Sequence, residues 1–462
     1  MGSNFVEFSV APLLPTTLGQ QGYLPLSPSD FSFYPTENAF TLPQPLDSQK
    51  LKDSLARTLQ FFPPHAGVIA RHPKTQQWQI KLVNQPVRLS IGRTSEPGPF
   101  GEDWNGEQHP DYYDHLPSGN LPETEQAPLF QAKVTTWNET GQTAIMISQS
   151  DCLGRDAFAA VWFVRFWSEL YQGKEPPFTP TFEKYYLPTP EVPPRASHAA
   201  DLEPISWMAA DFKMDYLWKL SEQMEKTTQR LDITLDGDFV NGVWEAVKRA
   251  SGSNRMSRHD AFSGYLVSVL QSVLAEPVPY IYTLITLRGR TFPYNGQAFH
   301  IPKTTTGNCY MVYGCHLDQQ SKFSSSSIAN AMFQSRQQLK DADKLGRTYM
   351  LYNSFFEKAV SRDRLLIDVG HPDTIAVNWL VNAGLTDAHF GFPGQCGHLE
   401  WMAAENFIQV WRANPVRGTD GELRAADPDG LQIVLRLKHE YVGRFQEKLA
   451  ETRSRLTARA KL

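Results

Sequence analysis

Long apolar runs are missing from the 462-residue chain. No stretch of about 18 apolar residues occurs, so no membrane-spanning helix is expected. Cysteine is scarce: Cys152, Cys309, Cys315 and Cys396 cannot make a disulfide framework in a chain this long, and no C-x-x-C pair suggests zinc. Basic runs are missing too. The 44 Lys and Arg against 49 Asp and Glu leave a net charge of −5, which argues against a surface that tracks nucleic-acid phosphates. The start, MGSNFVEFSVAPLLPT, has no basic segment followed by a continuous apolar one, so no secretory signal is expected. Val6 stands where myristoylation of Gly2 would need Ser or Thr. The sequon at Asn138 is expected to be idle, and a cytoplasmic monomer is the expected form. The ending Ala460-Lys461-Leu462 is one substitution from the SKL peroxisomal address, which leaves import into peroxisomes as an alternative.

What is present is ordinary globular composition, with 41% hydrophobic and 20% charged residues, so disordered, collagen-like and coiled-coil classes drop out. Aromatics reach 12%, consistent with a large apolar cavity or simply a large core. Val6, Phe8 and Val10 suggest an opening strand. Leu51, Leu55 and Leu59 share one face of a helix over 51–58, which Pro63-Pro64 ends. Phe130, Ala132 and Val134 alternate with Gln131, Lys133 and Thr135, the pattern of a half-buried strand; residues 143–148 return beside it after the turn at 138–141. From Asp156 the chain is apolar nearly all round, the pattern of a buried helix capped by that aspartate.

Residues 176–194 carry seven prolines and read as a stiff crossover. This divides the chain into an N-terminal domain over 1–180, a linker over 181–205 and a C-terminal domain over 206–462. Beyond the linker, helices are expected from Asp238 to the closing Gly252 and over 257–274. A buried strand over 280–287 ends at Arg288-Gly289-Arg290, and Leu431 to Leu437 alternates as a strand before a helix over 439–449. The fold class is α/β: two domains, each a mixed sheet flanked by helices.

Six segments then resemble, in order, the BAHD acyltransferase superfamily. They are LKDSLARTLQFFPPHAGVI, PLFQAKVTTWNETGQTAIMISQSDCLGRDAFA, MSRHDAFSGYLVSVL, YIYTLITLRGR, NWLVNAGLTDAHFGFPG and GLQIVLRLKHEYVGRFQEKL. The resemblance implies two chloramphenicol-acetyltransferase-like domains with a channel between them. Both family signatures depart from their pattern. Aligned on Asp156, the His of HxxxD is Cys152; aligned on Phe390-Gly391, DFGWG reads His389-Phe390-Gly391-Phe392-Pro393.

In the family the missing His is a general base, a role worth ~10²–10⁴ in rate. The resemblance makes Asp156 a structural residue that pairs with Arg288, and places Asn378-Trp379 where the family has Ser-Trp beside the thioester. An Asn amide there could donate to an oxyanion or hold a substrate carbonyl; plain packing is the competing account. Cys152 is a nucleophile that takes the acyl group, a weak base, or an inert wall residue. His389 is a candidate for a chemical role, although the family's DFGWG loop lies away from the channel. His65, His259, His371 and His398 are further candidates for a relocated base. Cys396-Gly397-His398 has no second ligand pair, so no metal is expected. No tightly bound cofactor is implied, with acyl-CoA as the possible co-substrate. Three functions follow: an acyl-CoA-dependent O- or N-acyltransferase of specialised metabolism acting on a bulky small molecule; an enzyme on the same fold that performs a cyclisation, cycloaddition or isomerisation through positioning; and a non-catalytic small-molecule binder.

Overall fold

The structure is a computed structural model that describes residues 4–15, 22–27, 30, 36–95, 116, 126–154, 156–182, 211–212, 223–317, 323–360, 365–366, 374–400, 404–417 and 423–460. The greater part of the proline-rich crossover, together with Gly2, Arg155, His371 and the final Lys461-Leu462, lies outside the described residues.

The strands of the two main sheets are β1 (Asn4–Val10), β2 (Thr36–Leu42), β3 (Val87–Thr94), β4 (Phe130–Trp137), β5 (Thr143–Gln149), β6 (Thr228–Leu235), β7 (Tyr280–Thr286), β8 (Tyr310–His316), β9 (Thr374–Trp379), β10 (Gly397–Glu400), β11 (Phe407–Arg412) and β12 (Leu431–Lys438). Both sheets have six strands, in the orders β1-β3-β4-β5-β2-β10 and β6-β12-β11-β9-β7-β8. Each is mixed: β3 runs parallel to β4 in the first, and β9 runs parallel to both β7 and β11 in the second. The mixed α/β class expected from the pattern is the observed one. One strand crosses over. β10 belongs to the C-terminal half of the sequence, yet it pairs antiparallel with β2 at the edge of the first sheet.

Local chemistry accounts for the helices. Asp47 caps α1 (Ser48–Phe61) by accepting from Lys50 N, and Leu51, Leu55 and Leu59 turn its apolar face inward. Ser257 and Asp260 form a reciprocal capping box on α4, the helix Arg258–Gln271. Two helices bracket the junction of the halves. The short α2 (Asp151–Gly154) leads into α3 (Ala157–Tyr171), which buries Val161, Phe163, Val164, Phe166 and Trp167. The Trp167 indole N–H donates to Leu51 O (3.1 Å), tying α3 to α1.

One expectation is corrected. β4 is buried on both faces, not half-buried: Gln131, Lys133 and Thr135 are all covered. Alternation of polar and apolar residues reports which face is more apolar, not how much chain packs on the other. Here Lys133 keeps its charge satisfied over the Phe5 ring, 4.6 Å from its centroid. The final helix, His439–Ala460, also runs well beyond its expected end at 449.

Trp167→Ala removes a fully buried indole together with its hydrogen bond. It is expected to lower unfolding free energy by about 3–5 kcal/mol in urea titration; a loss below ~1 kcal/mol would show that α1 and α3 are not held together there.

Candidate active site at the junction of the halves

The site is built around the turn between β5 and α3. Asp156 is the N-cap of α3: its Oδ1 accepts from Phe158 N (3.0 Å), completing the first turn. Its Oδ2 accepts from Arg288 Nη1 and from Cys309 N (3.0 Å), both in the other half of the chain. The Asp156 and Arg288 side chains are only 4% and 5% exposed.

Arg288 is held in turn. Its Nε donates to Thr305 O (2.7 Å) and its Nη2 to Gly307 O (2.9 Å). The guanidinium lies over the rings of Trp162 (4.9 Å) and Phe158 (5.6 Å) on α3. A second strut runs beside it. Asp156 N donates to Asn308 Oδ1 (3.1 Å), and Asn308 Nδ2 donates to Asp30 Oδ1 (3.2 Å). Asp30 Oδ2 accepts from both N and Oγ of Ser27. The structure thus brings Asp156 and Arg288 together and adds Asn308, Cys309 and Asp30, which sequence reasoning missed. Asp30 and Asn308 stand 278 residues apart, and nothing local in either segment announces the contact.

Cys152 is almost fully buried, packed with Leu24, Leu26, Ile69, Trp78, Ile80, Leu129 and Phe182. Ser150 Oγ lies 3.3 Å from its sulfur. The four cysteines form no disulfide. These surroundings fit a wall residue better than a solvent-reached nucleophile.

The imidazoles lie elsewhere. His65 stacks on Phe163 with ring centroids 4.2 Å apart, and burial pushes its pKa down to about 3. Neither ring nitrogen completes a hydrogen bond, although the amide of Gln149 is its neighbour. His398 pairs with Asn38 Oδ1 (2.9 Å) between the rings of Phe40 and Trp411, and burial takes its pKa to about 3. His259 lies against Trp379 at 5.0 Å, its pKa pushed down to about 4 by burial, against the raising effect of Asp260. Such groups stay neutral at neutral pH and are poorly matched to proton transfer there.

His389 sits at the opposite end of α3. Its neighbour Phe390 donates its N–H to Ser168 Oγ (2.8 Å) and packs on Trp167 and Tyr171. Ser168 is twelve residues from Asp156, or ~18 Å along a helix. His389 Nδ1 accepts from Gly391 N (3.2 Å); partial burial, then the nearby Lys174, lower its pKa. The His389-Phe390-Gly391-Phe392 loop therefore clamps the C-terminal end of α3, with Phe390 at φ 47° and Gly391 at φ 104°. The structure does not bring His389 to Cys152.

Asn378 and Trp379 end β9 and point to opposite faces. Trp379 joins His259 and Phe262 on the helix-covered face. Asn378 lies on the other face beside Gln409, between Ala376 and Leu380, and Leu380 packs on Val161 of α3. Of the two, Asn378 is the one on the face where Leu380 packs on Val161. Among the described residues no group of three or more His, Cys, Asp or Glu is placed to hold a metal, and no helix is long and apolar enough to cross a membrane.

A family model described as the Transferase family matches residues 12–391. The chain belongs to this family, the BAHD acyltransferases. The fold of this BAHD chain is that of several solved structures. Vinorine synthase superposes with a TM-score of 0.65 at 15% identity, covering 98% of each chain. TRI101 of F. sporotrichioides, solved with coenzyme A and T-2, gives 0.63 at 15% identity over 93% of this chain and 98% of its own. The first condensation domain of the calcium-dependent antibiotic synthetase gives 0.53 at 11% identity, over 92% of this chain and 89% of its own. No curated protein sequence matches the chain.

Breaking the buried pair one partner at a time strands the other charge, so Asp156→Asn and Arg288→Gln are each expected to cost about 3–5 kcal/mol. The double variant should cost clearly less than their sum; strict additivity in denaturant titrations would show the two groups to be uncoupled. Asn308→Ala should loosen the 150–156 turn and speed iodoacetamide labelling of Cys152, located by peptide mass mapping. Labelling as slow as in the unaltered protein would remove Asn308 from the turn's support.

Proposed function

We propose that the chain is an acyl-CoA-dependent O- or N-acyltransferase acting on a bulky small molecule bound between its two halves. The observation that carries this is the Asp156–Arg288 pair. It is buried, bridges the two halves and fixes the turn that holds position 152. Keeping such a pair is costly unless the geometry it imposes is used, because two buried charges seldom stabilise more than an apolar pair of the same volume. Family membership and the fold support the same reading, and TRI101 is seen with coenzyme A.

In this reading the junction holds the acyl thioester on one side and the acceptor on the other. The acceptor heteroatom attacks the thioester carbonyl, carbon–sulfur cleavage releases CoA, and the Asn378 amide donates to the carbonyl oxygen as charge develops there. The Asp156–Arg288 pair acts through geometry, holding the turn while both substrates are positioned. The domain division at 181–205, a monomeric state, and a cytoplasmic or peroxisomal location belong to the same reading.

A second reading has one specific observation in its favour. Cys152, which the family resemblance aligns with the base, sits among apolar side chains. An enzyme that steers a cyclisation, cycloaddition or isomerisation needs no base there.

Acetyl-, malonyl- and benzoyl-CoA decide between the two in a thermal-shift titration. At a hundredfold excess over Kd, a thioester that binds only the folded chain should add about 2.7 kcal/mol to its stability and raise Tm. No shift with any of them would favour the second reading.

A further inference from the structure

Given the acyltransferase reading, on which this inference rests, the Asn378 amide must be held so that an N–H points at the thioester carbonyl. We infer that Gln409 holds it: a positioning residue whose side-chain oxygen accepts one Asn378 N–H while the other is presented to the carbonyl.

Strand register carries the first part of the argument. β9 and β11 lie side by side and parallel, with Asn378 paired to Gln409. Partners on adjacent strands stand ~4.8 Å apart with their side chains on the same face, a span that two amide side chains bridge. β11 is flanked on its other side by β12, where Val434 is the partner of Gln409. The backbone under Gln409 is therefore fixed from both edges.

Unmet hydrogen bonding carries the second part. Gln409 is 2% exposed, and its Oε1 is buried without a hydrogen-bond partner among the described residues. Such an acceptor has given up water and received nothing in exchange. The polar side chains on either side of Val434 are engaged: Thr234 Oγ1 donates to Gln432 Oε1 (2.8 Å), and Arg436 Nη1 donates to Thr228 O and Oγ1. Asn378 is only half-buried, within reach of a ligand. Its Nδ2 carries two N–H groups. One meets Gln409 when the carbonyl arrives, and the other is left for that carbonyl.

The use of such an arrangement is preorganisation. As the acceptor adds to the thioester, the carbonyl π pair moves to oxygen, and an N–H already aimed there needs no reorganisation. An unsupported Asn side chain turns about two bonds, and misplacement on the order of 1 Å costs up to ~100-fold in rate. Gln409 takes no proton and touches no reacting atom. It acts only through Asn378.

The test reads the carbonyl itself. Full-length protein is saturated with acetyl-CoA or benzoyl-CoA carrying carbon-13 at the thioester carbonyl, and the carbonyl stretch of the bound thioester is read by isotope-edited infrared spectroscopy. Asn378→Ala should raise the stretch, because the oxygen loses a donor. Gln409→Leu should move it in the same direction without lowering Tm, since the substitution removes an unpaired buried oxygen. Gln409→Glu, which keeps an acceptor oxygen, should stay with the wild type. Gln409→Leu combined with Asn378→Ala should match Asn378→Ala alone, an outcome that a merely structural residue would not give. Gln409→Met serves in the same comparison where Gln409→Leu fails to fold. A Gln409→Leu band at the wild-type position, with Asn378→Ala displaced, overturns the inference and leaves the transferase reading in place; additive displacements in the double variant do the same. An Asn378→Ala band at the wild-type position removes the role of Asn378 and the inference with it. Binding of neither thioester removes the transferase reading and the inference together.

Discussion

A single buried ion pair organises the centre of the molecule. Asp156 and Arg288 belong to different halves of the chain, and each is almost fully withdrawn from water. Their attraction alone does not offset the loss of hydration of two charges. The remaining lone pairs and N–H groups must be satisfied as well, and they are. The carboxylate also takes two backbone N–H groups, and the guanidinium donates to two backbone carbonyls while resting on two aromatic rings. The loop at 305–309 thereby becomes part of the same unit as the start of α3.

Beside the pair, Cys152 sits in an apolar wall. Three imidazoles among the described residues have structural uses. His65 fills an aromatic stack, His398 fastens β10 to β2 through Asn38, and His389 lies in the loop that clamps the end of α3. Burial depresses His65 and His398 far below neutrality, which suits packing and not proton exchange.

Much of the fold could be read from the residues because periodicity and caps are local signals. Leu51, Leu55 and Leu59 marked α1, Asp156 marked the start of α3, and Gly252 marked a helix end that adopts φ 66°. The burial of β4 was not legible, since the outer cover of Lys133 comes from Phe5, far away in sequence. At the site, Asp156 and Arg288 were legible only through the family resemblance. Asn308 and Asp30 were not, because a hydrogen bond between residues so distant leaves no mark on either segment. Asn378 and Trp379, which the resemblance places side by side, point to opposite faces of β9, as strand alternation requires.

The placement of β10 bears on how the chain is made. The first sheet needs a strand at its β2 edge that the ribosome delivers only when residue 397 emerges, about 250 residues after β5 ends. At ~5–20 residues per second, the nascent sheet waits roughly 12–50 s with its β2 edge unpaired. During that interval the bare rim of β2 is open to pairing with another growing chain. The two halves are thus interdependent from synthesis onward, and a segment translated late closes the sheet that was begun first.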